Sequence, residues 1–232
     1  PLVPQAAGGR PPEQMEGDVN DQLAIDADGH VSEWHIDWAP RLPADLRDRA
    51  PTVVPDEHGR PDVLIDGYRF PNPLYEGKGR WATMLVESTA NPAGMRDPVA
   101  RLPDMDIEGI GMAVLFGTAI AFHANSSLDW RYSQALCRAW NDWAAEFCAA
   151  SPDRLKFVAL VPLGDGQAAA EETERAVRAL GAIGICFPPN YLGRSLDQLY
   201  FDPIYAAAQQ LNVPVCIHGT TGSDRFIQPI GA

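Results

Sequence analysis

Four times along this chain an amphipathic helical pattern is followed at once by a short, continuous apolar run. A segment read as a short helix over Pro103–Ile110, closed by Gly109, leads into Met112–Gly117. Tyr132, Leu136, Ala139, Trp140, Trp143 and Phe147 share one helix face, Ser151-Pro152 stops that helix, and Leu155–Leu163 follows. Ala169, Thr173, Ala176, Val177 and Leu180 repeat the pattern, with Gly181 at its end, before Ile183–Phe187. The last helix starts at Asp202-Pro203, read as cap and first-turn proline, ends at Asn212, and gives way to Val213–His218. A strand that is apolar throughout, rather than at alternate positions, is buried on both faces, and helices between such strands cover those faces. The pattern therefore predicts an α/β fold with a parallel sheet. With a further strand ending near His30 the chain has about five β/α units where a closed (β/α)8 TIM barrel has eight. Either the sheet is open, or the chain is part of a longer one, or another chain completes the barrel. In each case Val213–Ile217 is expected to need a cover, because an unpaired parallel edge exposes its backbone groups.

Residues 1–20 are polar, rich in Gly-Gly and Pro-Pro pairs, and read as a flexible lead to a domain over 21–232. Residues 34–103 read as a loop-rich insertion, with one hairpin over Val63–Phe70 turning at Asp66-Gly67. The 18 basic residues against 31 acidic ones, a net charge of −13, argue against a nucleic-acid partner or an anionic membrane surface. No apolar run has a transmembrane length, and the first residues lack the basic-then-apolar order of a secretory signal, so a cytoplasmic location is expected. Cys137, Cys148, Cys186 and Cys216 lie in apolar stretches without metal-knuckle spacing and read as buried free thiols.

Ligands of parallel β/α folds collect at the carboxyl ends of the strands, where loops and helix N-termini converge. His30 and His218 lie at two such ends, and strict alternation along Ile25–His30 places Asp26, Asp28 and His30 on one strand face. A carboxylate and two imidazoles could then reach one ion, with Asp28, His30 and His218 as ligands. The bland alternative is a set of hydrogen-bonded loop residues. Asp26, nearer mid-strand, reads as the residue that holds a ligand's other ring nitrogen, or as a simple turn cap. Glu33 is either a substrate contact or a solvated carboxylate. His123, in the polar stretch ending Ala124-Asn125-Ser126-Ser127, is a candidate substrate contact, whereas His35 and His58 read as surface histidines. Arg175, Asn141 and Asp202 read as salt-bridging or capping groups. No G-x-S-x-G, Walker loop or G-x-G-x-x-G is present, which removes the common serine-hydrolase, NTPase and Rossmann readings.

An ordered series of segments carries a resemblance: Ile25–Glu33, Asp97–Ile110, Asn141-Asp142-Trp143, Pro152–Leu155, Glu174–Val177, Leu180-Gly181, Tyr200–Tyr205 and Val213–His218. In this order the chain resembles the amidohydrolase-related family of metal-dependent barrels, which includes aminocarboxymuconate semialdehyde decarboxylase and γ-resorcylate decarboxylase. The resemblance implies a (β/α)8 TIM-barrel type and an enzyme that uses one divalent metal ion, zinc first, with manganese or magnesium as alternatives. Asp28 and His30 stand where the family places its first-strand ligands, and His218 matches the strand-five histidine. His218 and Asp26 are then the expected catalytic groups, and His123 and Glu33 the expected substrate-binding ones. The implied reaction is non-oxidative decarboxylation of an aromatic or unsaturated carboxylic acid by a homodimer. Hydrolysis of an ester, amide or lactone is one alternative, and a non-catalytic partial barrel completed by a partner chain is another.

Overall fold

The computed structural model describes residues 24–33, 35–55, 61–70, 93–118 and 120–218. The expected lead over 1–20 and His58 lie outside the described residues. Five parallel strands form the main sheet: β1 (Ala24–Val31), β5 (Ile110–Gly117), β6 (Leu155–Leu160), β7 (Gly184–Phe187) and β10 (Val215–Ile217). They lie side by side in chain order, with no point where the order reverses. A doubly wound sheet has such a reversal, while a singly wound one curls toward a barrel. The two ends of this sheet do curl toward each other, since the rings of His30 on β1 and His218 just beyond β10 have centroids 5.1 Å apart. The fold is thus an α/β, part-barrel version of the (β/α)8 type.

The helices between the strands follow their sequence signals with two corrections. Helix α1 spans Pro98–Glu108, so it starts inside the segment read as loop and earlier than Pro103. Asp97 caps it by accepting from the backbone N–H groups of Val99 and Ala100, with Pro98 in the first turn and Pro103 tolerated inside. A short turn of helix, α2 (Ile120–His123), precedes the long α3 (Trp130–Cys148), and α4 (Gly166–Leu180) covers the next crossover. In α5 (Asp202–Leu211), Asp202 is the first helical residue rather than a cap, because the 3-10 turn Leu199–Phe201 runs straight into it. Trp140, Tyr132, Leu136, Phe157, Leu155, Ile185 and Ile204 are fully buried between helices and sheet. Cys137, Cys148 and Cys186 are buried free thiols, and Cys216 is half-buried.

Within the loop-rich stretch, β2 (Thr52–Pro55), β3 (Pro61–Ile65) and β4 (Tyr68–Phe70) make a small antiparallel sheet. Its hairpin turns at Asp66 (φ 50°) and Gly67 (φ 76°), two consecutive left-handed residues that match the right-handed twist of the flanking strands. Arg49 ties this turn to the barrel: it binds Asp66 at 2.6 Å and Asp129, the cap of α3, at 2.8 Å, and stacks on Tyr132. Between β7 and α5, β8 (Asn190–Tyr191) and β9 (Arg194–Ser195) pair as a two-residue antiparallel ribbon. The edge strand β10 is half-covered, with Ile217 at its end 59% exposed. No helix among the described residues is long and apolar enough to cross a membrane.

Candidate metal centre

Asp28, His30 and His218 each present a ligand atom, and these three atoms lie within 4.8 Å of one another. Two come from the first strand of the sheet and one from the last, so the curl of the sheet builds the cluster. The Asp28 carbonyl can only accept, so the 3.0 Å contact with His30 Nδ1 places the proton on that nitrogen and leaves Nε2 free to bind a cation. Burial disfavours the imidazolium of His30 and the neighbouring His218 adds to this, partly opposed by the Asp28 carbonyl and carboxylate, so its pKa lies below the ordinary value. Neutral imidazole is the form that coordinates a metal. His218 Nε2 lies 2.8 Å from Asp28 Oδ1, and the Asp28 side chain is 70% exposed. Phe116, at the end of β5, stacks on the His218 ring with centroids 4.8 Å apart and an angle of 26°. The sequence does not mark Phe116 as anything but core; its role beside the imidazole follows from the curl.

Asp26 lies on the opposite face, contrary to the expectation from strict alternation. Between Asp26 and Gly29, β1 advances three residues while its partner advances two, from Ala113 to Leu115. That extra residue is a bulge, and it reverses the face of everything before it. Asp26 therefore does not hold a ring nitrogen of His30. It accepts the Asp28 backbone N–H at 3.1 Å and faces Arg101 at 3.9 Å.

Glu33 is 2% exposed, which corrects its reading as a solvated carboxylate. Its oxygens accept from the Thr118 N–H and from Trp140 Nε1, all at 3.0 Å, while the Thr118 hydroxyl donates to the Val31 carbonyl at 2.6 Å. The carboxylate thus joins the ends of β1 and β5 to α3. His123 ends α2, outside the three-group cluster, and burial pushes its pKa down to about 4. His35 is exposed, as expected.

Asn141 is wholly buried rather than a surface cap, and it pairs with both backbone groups of Leu160. Asn125 does the same one step further on, accepting from the Leu163 N–H and donating to the Val161 carbonyl. These two amides continue the hydrogen bonding of β6 where the strand itself ends.

The depressed His123 pKa has a pH consequence. Because the native state disfavours the proton, the contribution to stability is complete above the unfolded value near 6.5 and is lost as pH falls toward about 4. Denaturant titrations at pH 7 and 4.5 should show a drop for the wild type that His123→Gln reduces by about 2 kcal/mol; an equal drop in both proteins excludes His123 as its source.

A family model described as amidohydrolase matches residues 25–230. γ-Resorcylate decarboxylase of Rhizobium sp. (strain MTP-10005) is 36% identical over 124 residues, 51% of this chain and 37% of that protein. Decarboxylase orsB of Emericella nidulans is 36% identical over 98 residues, 41% of this chain and 30% of that protein. The crystal structure of 5-carboxyvanillate decarboxylase from Novosphingobium aromaticivorans, with bound manganese and 3-methoxy-4-hydroxy-5-nitrobenzoic acid, superposes with a TM-score of 0.60 at 27% identity. The match covers 89% of this chain and 53% of that one. The chain thus spans about a third of the length of these curated relatives.

Proposed function

This chain belongs to the amidohydrolase family, and from that premise we propose that Asp28, His30 and His218 hold one divalent cation serving the non-oxidative decarboxylation of a small aromatic carboxylic acid. The observation that carries this reading is the convergence of one carboxylate and two imidazoles from opposite ends of a single sheet. The donor set fits a borderline-to-hard ion, so manganese, which the 5-carboxyvanillate enzyme holds, and zinc are both compatible.

A divalent ion at this position supplies Lewis acidity toward carboxylate and phenol-type oxygens. The chain's own groups prepare the site for it. The Asp28 carbonyl fixes the His30 tautomer, Phe116 stacks on the His218 ring, and the Asp28 carboxylate is exposed to solvent. The reaction needs one proton delivered to the ring carbon that loses carbon dioxide, with no redox step. Asp26 is not a candidate for that proton, since it lies behind the strand beside Arg101.

Elemental analysis of protein equilibrated with Mn²⁺ or Zn²⁺, combined with carbon dioxide release from a panel of hydroxybenzoic acids, tests the proposal. One bound equivalent and stoichiometric formation of the corresponding phenol are expected. Incorporation of labelled solvent oxygen into product would point to hydrolysis instead, and a folded protein that binds neither ion would overturn the metal centre.

A further inference from the structure

Behind the ligand strand, on the face away from the cluster, lies an ion pair with no place in the chemistry above. Arg101 comes from α1 and is 13% exposed, and Asp26 is 30% exposed. Arg101 Nη1 donates to the His30 carbonyl at 2.9 Å and to the Gly94 carbonyl at 3.4 Å, while Nη2 faces Asp26 Oδ2 at 3.9 Å. Asp26 in turn accepts the Asp28 backbone N–H through Oδ1. One pair thus grips the backbone of both ligand residues that β1 supplies, at the N–H of one and the carbonyl of the other.

The bulge is what makes this grip available, since without the extra residue Asp26 would share the ligand face. Gly29, between the two ligands, leaves the space: a Cβ there would stand 2.8 Å from Asp26 Oδ2, 3.0 Å from Arg101 Nη2 and 3.2 Å from Leu115. A guanidinium suits the task because its fork can serve two carbonyls and a carboxylate from one half-buried position.

We infer that Arg101, with Asp26, is a positioning residue for the metal centre, setting the spacing and orientation of Asp28 and His30 from behind the sheet. The inference rests on the metal reading proposed above. Groups that orient metal ligands typically contribute about ten- to a hundredfold in affinity. Arg101→Met should therefore weaken Mn²⁺ binding at least about tenfold and shift the visible absorption bands of the Co²⁺-loaded protein. Arg101→Lys, which keeps the charge and loses the fork, should fall between. Gly29→Ala, which leaves Arg101 in place but crowds the pair, should move both readouts in the same direction.

Arg175→Met is the control, because Arg175 holds Glu172 and Asp142 on α4 and α3 and touches none of the three ligands. It should lower thermal stability with the Co²⁺ spectrum unchanged. If Arg101→Met or, should that variant not fold, Arg101→Lys loses stability yet keeps the wild-type spectrum and affinity, Arg101 is merely structural and the inference fails. Imidazole ¹⁵N shifts of the metal-free proteins separate this failure from that of the metal reading. If the wild type takes up no metal, the proposed function falls. Loss of the pure His30 Nδ1–H tautomer in the Arg101 variants, and not in Arg175→Met, would still establish the grip, and an unchanged tautomer would refute it.

Discussion

His218→Ala is expected to lower affinity for the divalent cation on the order of a thousandfold, about 4 kcal/mol. Among the described residues, His218 is the donor that β10 brings to a site whose other two groups lie two residues apart on β1. Without it, one exposed carboxylate and one imidazole remain, a pair with little to distinguish it from ordinary surface chelation. His30→Ala should act similarly, since its Nε2 is the nitrogen left free by the tautomer. His35→Ala, at an exposed histidine, should leave affinity unchanged. Competition with a chromophoric chelator measures all three, and a His218→Ala protein that retains wild-type affinity would place the ion elsewhere.

A comparable loss, in stability rather than binding, is expected for Glu172→Ala. Glu172 on α4 is wholly buried, yet it accepts from Asn141 Nδ2 at 2.7 Å, Arg175 Nη2 at 2.7 Å and Nε at 2.8 Å, and Arg138 Nη1 at 3.1 Å. Asn141 meanwhile completes both backbone groups of Leu160. Removing the carboxylate takes one acceptor from the Asn141 amide, which keeps the Leu160 carbonyl, one from Arg175, which keeps Asp142, and one from the half-exposed Arg138, and should cost about 3 kcal/mol, the lower end for breaking a buried pair. For a chain of this length that corresponds to a melting temperature roughly 10 °C lower. Glu174→Ala, which removes the exposed partner of Arg178 on the same helix, should cost under about 1 kcal/mol. Thermal unfolding of the two variants side by side tests the contrast; equal effects would mean the buried network contributes nothing beyond a surface pair.

The contrast between these two glutamates shows where sequence reading reaches its end. Period alone identifies α4 and its neighbours, and Asp66-Gly67 identifies its hairpin, because in each case the signal and its cause are neighbours in the chain. The placing of His30 and His218 at strand ends was legible for the same reason, although their approach depends on the curl of five strands. Glu33 shows the opposite case. Three residues past His30 it resembles any solvent-facing carboxylate, and its partners Thr118 and Trp140 lie 85 and 107 residues away. Alternation misplaced Asp26 because a bulge is set by pairing with β5, which the β1 sequence does not contain. The start of α1 is legible too: Asp97-Pro98 carries the same cap-and-proline signal as Asp202-Pro203, and Pro103, which competes with it as a helix start, is a tolerated interior residue. At Asp202 the preceding 3-10 turn removed the need for a cap.

The cluster joins residues 190 positions apart, one on the first strand of the sheet and one just beyond the last. Its three donors therefore exist as a set only while every intervening strand is in place. An ion held there acts as a clasp on the whole sheet, and its binding free energy adds to the cooperative unit rather than to a loop. Fraying of β10, the half-covered edge, and release of the ion become the same event. Local opening that spares β1 and β10 leaves the clasp intact, so exchange of amide hydrogens in the outer helices should be indifferent to the ion while that of the edge strand is governed by it.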